Sequence, residues 1–274
     1  MTVIDSLKSQ RSNVKKINTF ARMRITPYLQ KYVIDSQLYV SLMGTLFASF
    51  FMLEQGTFRF PTFFLLLLTY FSGYLYTEYQ YSTKIFKILL FNAVMAVFCV
   101  ILIIHNHNIE RLYKLVIICF LGLLYNSFFL KINIRKIPLL KGFYVGFIWG
   151  LMNAWLSFEQ FNLPIFLISF LFVTALVLPF DIRDMERDKP FVVTFPHIIG
   201  VRNTKILAYI FVVSAWMLAY LYLEKTFFIA FSLTSIVTLV LIYFTKYERN
   251  DFYFSFWVES CSGLPLLFWI VLCF

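Results

Sequence analysis

Charged residues divide this chain into nine apolar stretches, at about 38–53, 60–82, 86–104, 112–130, 139–158, 163–180, 206–223, 227–244 and 252–274. Most approach the roughly 20 residues that an α-helix, rising about 1.5 Å per residue, needs to cross the hydrocarbon of a bilayer. Lipid offers nothing to backbone N–H and C=O groups, so a spanning segment must satisfy its own hydrogen bonds. Unbroken apolar lengths do this as helices, whereas a barrel would alternate polar and apolar residues. The composition agrees: with 61% hydrophobic and 14% charged residues, the chain has too few polar side chains to cover a water-soluble domain of 274 residues. The sequence therefore predicts an all-α polytopic membrane protein. Residues 1–36 form a polar, basic lead-in without the apolar core of a signal peptide, and residues 37–274 form a domain of nine transmembrane helices.

The formal charge of +10 does not point to nucleic acid, because its distribution follows the turns between spans. With nine spans and a cytoplasmic N-terminus, 20 of the 24 lysines and arginines fall on the cytoplasmic side, leaving Arg59, Arg111, Lys114 and Lys225 opposite. This positive-inside asymmetry predicts a protein of the plasma (inner) membrane, with the C-terminus on the opposite side. The four cysteines fall within the apolar stretches, with no pattern of a disulfide framework or a CxxC metal site.

Orientation rules do not call for acids, yet four of the 14 carboxylates fall within eight residues of "FDIRDMERD": Asp181, Asp184, Glu186 and Asp188. On a continuous helix, at about 100° per residue, Asp181, Asp184 and Asp188 lie within about 60° of one another, while Arg183 and Arg187 turn largely away. Like charges stacked on one face repel unless a cation sits among them, and oxygen ligands with room for water and phosphate suit Mg²⁺. The competing reading is a solvated helix end whose Asp–Arg pairs balance. Lys189-Pro190 marks the expected end of that helix.

The motif D-x-x-D-x-x-x-D of DIRDMERD resembles the second aspartate-rich motif of UbiA-type intramembrane prenyltransferases. The following "TFPHIIGVRNTKIL" resembles that family's lead into its seventh helix, and "LLYNSFFLKINIRKIPLLKGFYVGFIWG" its connection between spans four and five. The resemblance is specific over roughly 121–210 and implies a nine-helix bundle around a central lipid-facing cavity. In that family two aspartate motifs hold Mg²⁺ on the diphosphate of an isoprenoid donor. The resemblance implies a metal role for Asp181, Asp184 and Asp188, an isoprenoid diphosphate and a lipophilic or aromatic acceptor as substrates, and membrane lipid as surroundings. The leaving group carries about three negative charges, so cations are needed to stabilise its departure.

The first aspartate motif is degenerate. Its place falls in "YLYTEYQYSTKI", where the best register puts Thr77, Glu78, Tyr81 and Ile85 at the motif positions, and only Glu78 keeps a carboxylate. Glu78, Tyr125, Lys131, Arg135, Lys136 and Glu259 are the candidate substrate-binding residues, and Lys84 and Lys141 offer further positive charge. Glu259 lies about eight residues into the last stretch, where an ionisable group normally faces protein or water rather than lipid. Asn126 and Asn153 read as interhelical hydrogen-bond formers, and His197 as structural.

Three functions follow. One is a prenyltransferase using Mg²⁺ at DIRDMERD. The second is a catalytically degenerate relative that binds lipid or serves as a subunit beside a protein partner. The third, a transporter, is disfavoured by the scarcity of ionisable groups within the spans and the lack of paired Gly/Pro breaks.

Overall fold

The computed structural model describes residues 37–127, 133–188 and 192–273. The basic lead-in, Lys131 and Lys189-Pro190 lie outside the described residues, as does the side chain of Asp188. Nine long helical segments occur among the described residues: α1 Leu38–Glu54, α2 Phe60–Tyr79, α3 Ile85–His105, α4 Glu110–Tyr125, α5 Leu140–Leu151 continued as a π-helix over Met152–Leu156, α6 Leu163–Arg183, α7 Phe195–Tyr222, α8 Lys225–Phe244 and α9 Tyr253–Cys273. Most match the apolar stretches to within a few residues. Five (α3, α6, α7, α8 and α9) are long and apolar enough to cross a membrane.

Helix α7 begins about eleven residues before the apolar stretch expected at 206–223. Pro196 occupies its first turn, where a missing N–H costs nothing, and Thr194 caps it. His197 Nδ1 accepts the Thr194 N–H at 3.0 Å and its Nε2 lies 2.7 Å from the Met185 carbonyl oxygen, so it ties the acidic turn to the start of α7. The helix is broken at Gly200, whose φ of 77° suits a residue without Cβ.

Neighbouring helices pack in chain order, and α9 returns against α1, closing a ring. Toward the end where α6 begins, the ring is filled by aromatic side chains from α1, α6, α8 and α9. Phe47 meets Phe172 at 5.5 Å between centroids, Phe172 meets Phe231 at 5.2 Å, and Phe227 stacks on Trp269 at 5.1 Å.

The contact between α5 and α6 is set by glycines. Gly142, Gly146 and Gly150 recur every fourth residue, so they share one face of α5. A Cβ at Gly146 would land on Thr174 Oγ1 and stand 2.7 Å from the Phe170 carbonyl oxygen; one at Gly150 would stand 2.9 Å from the Phe166 ring. The two backbones can touch only because these side chains are absent. Asn153 fastens the same region: it accepts from Tyr70 Oη at 3.0 Å and donates to Ser169 Oγ at 3.2 Å.

Two of the basic exceptions to the charge asymmetry are buried rather than solvated. Lys114 is 1% exposed and donates from Nζ to the carbonyls of Phe158 at 2.9 Å and Glu159 at 2.5 Å. Arg111 donates to Thr62 Oγ1 and to the Ser157 carbonyl. Together they supply donors to carbonyls left free where α5 ends.

Candidate functional site

The acidic run stands where α6 finishes and α9 begins. The single-faced stripe expected from spacing is not formed. Helix α6 stops at Arg183, Asp184 is its C-cap with φ −88° and ψ 4°, and Met185–Asp188 makes a separate turn. The 3.6-residue spacing that would align the carboxylates therefore fails at Asp184, with Pro179 already removing one donor from the last turns of α6.

Each described aspartate of the motif faces a cation. Asp181, 2% exposed, lies 2.9 Å from Lys141 Nζ. The glycine face of α5 makes this possible, since Lys141 precedes Gly142, and Gly142 sits against Val177, one turn before Asp181. Asp184 accepts two hydrogen bonds from Arg183, Nε to Oδ1 and Nη2 to Oδ2, both 2.8 Å. The Arg183 guanidinium also lies 5.1 Å from the Phe180 ring and 5.5 Å from the Phe254 ring. Such bidentate and aromatic contacts hold the arginine in a fixed pose. The ion-pair reading of this segment thus describes Asp184, with the difference that the pair is partly buried rather than solvated.

The other expected residues are spread around the same end. Glu78 is exposed in the last turn of α2. Tyr125 stacks on Tyr144 at 5.9 Å with an interplanar angle of 8°. Arg135, half-buried, and Lys136, exposed, belong to a 3₁₀ turn over Ile134–Lys136 that leads into α5. Asn126 is a bridge: its carbonyl accepts from Gln80 Nε2 at 3.0 Å and its Oδ1 from Asn133 Nδ2 at 2.9 Å. Lys131 and the Asp188 carboxylate lie outside the described residues.

Glu259 sits directly after a π-helical stretch, Tyr253–Val258, near the start of α9. It is half-buried. Around it, Tyr39 of α1 shares a 2.6 Å hydrogen bond with Ser260, and Tyr74 of α2 accepts from Trp149 Nε1 of α5 at 3.0 Å. Sequence reading found Glu259 but not these aromatic partners, which lie far apart along the chain.

The donor set does not fit a bound Mg²⁺ in this conformation. Asp181 and Asp184 are engaged by Lys141 and Arg183, and among the described residues no three His, Cys, Asp or Glu side chains converge. A divalent cation would have to displace both basic side chains, which supply at most the charge it would bring.

A ring of apolar helices of this length defines a polytopic helical membrane protein with the fold of a membrane prenyltransferase. The comparison behind this is a solved structure of digeranylgeranylglyceryl phosphate synthase in membranes, with which the chain superposes at a TM-score of 0.53, over 89% of this chain and 96% of that one, with 20% sequence identity. At that identity the likeness is one of fold. No known family profile and no curated protein sequence matches the chain.

Proposed function

We propose that this protein is an integral-membrane prenyltransferase that moves an isoprenoid from its diphosphate to a lipophilic or aromatic acceptor. The observation that carries this reading is the ring fold shared, over most of both chains, with a membrane prenyltransferase. The charged end of the ring, in the inner (plasma) membrane and facing the cytoplasm, is where the diphosphate binds. Arg135 and Lys136 supply accessible positive charge there, and the aromatic walls shelter the isoprenoid. Mg²⁺ at Asp181, Asp184 and Asp188 requires the Lys141 and Arg183 pairs to open, so no step is assigned to it.

Purified protein in nanodiscs, supplied with geranylgeranyl diphosphate and a lipid extract as acceptor source, should release pyrophosphate, and Asp184→Asn should abolish the release. Full turnover by Asp184→Asn removes that residue from the site. Complete inactivity of the wild type across isoprenoid lengths and added Mg²⁺ removes the transferase reading.

One observation favours a second reading, a catalytically degenerate subunit that binds lipid. Asp181 and Asp184 are already neutralised by basic side chains, and Glu78, the last acid of the first motif, is exposed. In that case mild detergent extraction should recover a stoichiometric protein partner.

A further inference from the structure

Helices α7 and α8 leave an apolar groove of about 500 Å³ between them. It is lined by Tyr209 and Val213 of α7 and by Leu239, Val240, Tyr243 and Phe244 of α8. Val240 is 49% and Tyr243 67% exposed, so the groove opens outward, where a spanning helix meets lipid. Its floor is closed: Ala208, Val212 and Ile242 are buried together with Ala175 and Leu178 of α6, and Tyr209 and Leu239 pack on that cluster.

Cations gather at the mouth of this groove, where α7 starts and α8 stops. Lys205, Tyr209 and Val213 recur every fourth residue and share one face of α7, with Lys205 one turn from the groove and about 12 Å along the axis from Val213. The Lys205 Nζ donates to the Tyr243 carbonyl at 2.8 Å, which fixes the ammonium at the turn of α8 that lines the groove. Arg249 Nε donates to the next carbonyl, that of Phe244, at 3.2 Å, and its guanidinium lies 5.3 Å from the Tyr253 ring. Lys246 is exposed two residues beyond the end of α8. The same turn carries Glu248, which accepts from the Tyr247 hydroxyl at 2.8 Å, and Asp251 just before α9. Among the described residues, none of Lys205, Lys246 and Arg249 forms an ion pair.

These cations differ from Lys114, which is enclosed: Lys246 and Arg249 are exposed and Lys205 is half-buried. An ammonium that gives one N–H to a carbonyl keeps two more, and a phosphate oxygen is the acceptor that gains most from them. Basic residues set above an apolar groove on a spanning domain match an anionic phospholipid, whose acyl chain covers the walls while its phosphate meets the rim. Tyr209 and Tyr243 stand between the two, at the level where amphipathic rings favour the boundary of hydrocarbon and headgroup.

We propose that the groove between α7 and α8 is a binding site for an anionic phospholipid of the surrounding membrane. One acyl chain lies along Tyr209, Val213, Val240 and Tyr243, and Lys205, Lys246 and Arg249 hold the headgroup phosphate. The site is on the outer wall of the ring and does not depend on the transferase function proposed above.

The test uses the full chain, stripped of lipid in detergent, with a trace of phosphatidylglycerol that carries a photoactivatable acyl chain. Cross-linked peptides are mapped by mass spectrometry. Label should concentrate on residues 209–213 and 239–244, and unlabelled phosphatidylglycerol should compete at least about tenfold better than phosphatidylcholine of the same chains, since each basic residue contributes about fivefold. Combined Lys205→Gln, Lys246→Gln and Arg249→Gln should reduce that preference to about twofold or less. Val240→Trp, which fills the groove and keeps the rim, should reduce label on both walls severalfold. Label spread evenly over the outer helices, equal competition by phosphatidylcholine, or unchanged label in folded Val240→Trp overturns the proposal. Stronger displacement by geranylgeranyl diphosphate than by phosphatidylglycerol also overturns it, because the groove then belongs to an isoprenoid diphosphate. The wild-type map and competition decide it alone should the variants fail to fold, and neither readout requires pyrophosphate release.

Discussion

The two ends of the bundle handle buried charge in opposite ways. At the end where α5 finishes, Arg111 and Lys114 donate mainly to backbone carbonyls that the helix terminus leaves free, so the charges complete the fold. At the other end, charges face charges: Lys141 with Asp181 and Arg183 with Asp184. Backbone partners are fixed by the helix itself, whereas side-chain partners can be exchanged for those of a ligand. The difference teaches that burial of a cation does not mark a site, and that the identity of its acceptor does.

Five variants probe this contrast. The largest effect belongs to Asp181→Ala, which strands the Lys141 ammonium in the interior and should lower stability by about 3–5 kcal/mol, read as a fall in thermal midpoint in detergent. Asp181→Leu combined with Lys141→Met should recover most of the loss, because the pair and not either charge is what the packing requires. Lys114→Met removes donors from two buried carbonyls and should cost about 2–3 kcal/mol by the same measurement. It should leave isoprenoid diphosphate binding unchanged in the folded fraction, and a selective loss of binding would erase the distinction between the ends.

Gly146→Ala places a methyl against Thr174 and the Phe170 carbonyl; separating α5 from α6 should cost about 1–3 kcal/mol. Because it pries Lys141 from Asp181, it should also weaken diphosphate binding, although it lies away from the charged residues themselves. The smallest effect is expected from Glu78→Gln, an exposed position whose exchange should leave the thermal midpoint where it was.

Much of the helix layout was legible because the apolar lengths between charges match one physical requirement, the thickness of hydrocarbon. The early start of α7 was not, since Arg202, Lys205 and Gly200 dilute its first turns; Thr194 and Pro196 were the capping signals that give it away. The acidic run was legible as a place but not as a geometry. Spacing alone aligns Asp181, Asp184 and Asp188 only on an unbroken helix, and α6 ends between the first two. The Lys141–Asp181 pair had a signal in the sequence, the glycine at every fourth position from 142 to 150, which licenses close approach of α5 to some partner. Which partner, and that Lys141 would face Asp181 there, depends on tertiary register. Arg111 and Lys114 read as topology exceptions because nothing local announces that carbonyls 44 and 46 residues further along the chain lack donors.

The central claim is that the end bearing Asp181, Asp184 and Glu259 receives the isoprenoid diphosphate while the end bearing Arg111 and Lys114 does not. Cryo-electron microscopy of the protein in nanodiscs saturated with geranylgeranyl S-thiolodiphosphate, which resists cleavage, tests it most directly. The account predicts diphosphate density beside Arg135 and Lys136, with the isoprenoid running from there into the ring of helices. Diphosphate density against Arg111 and Lys114, or an empty charged end at saturating ligand, would contradict it.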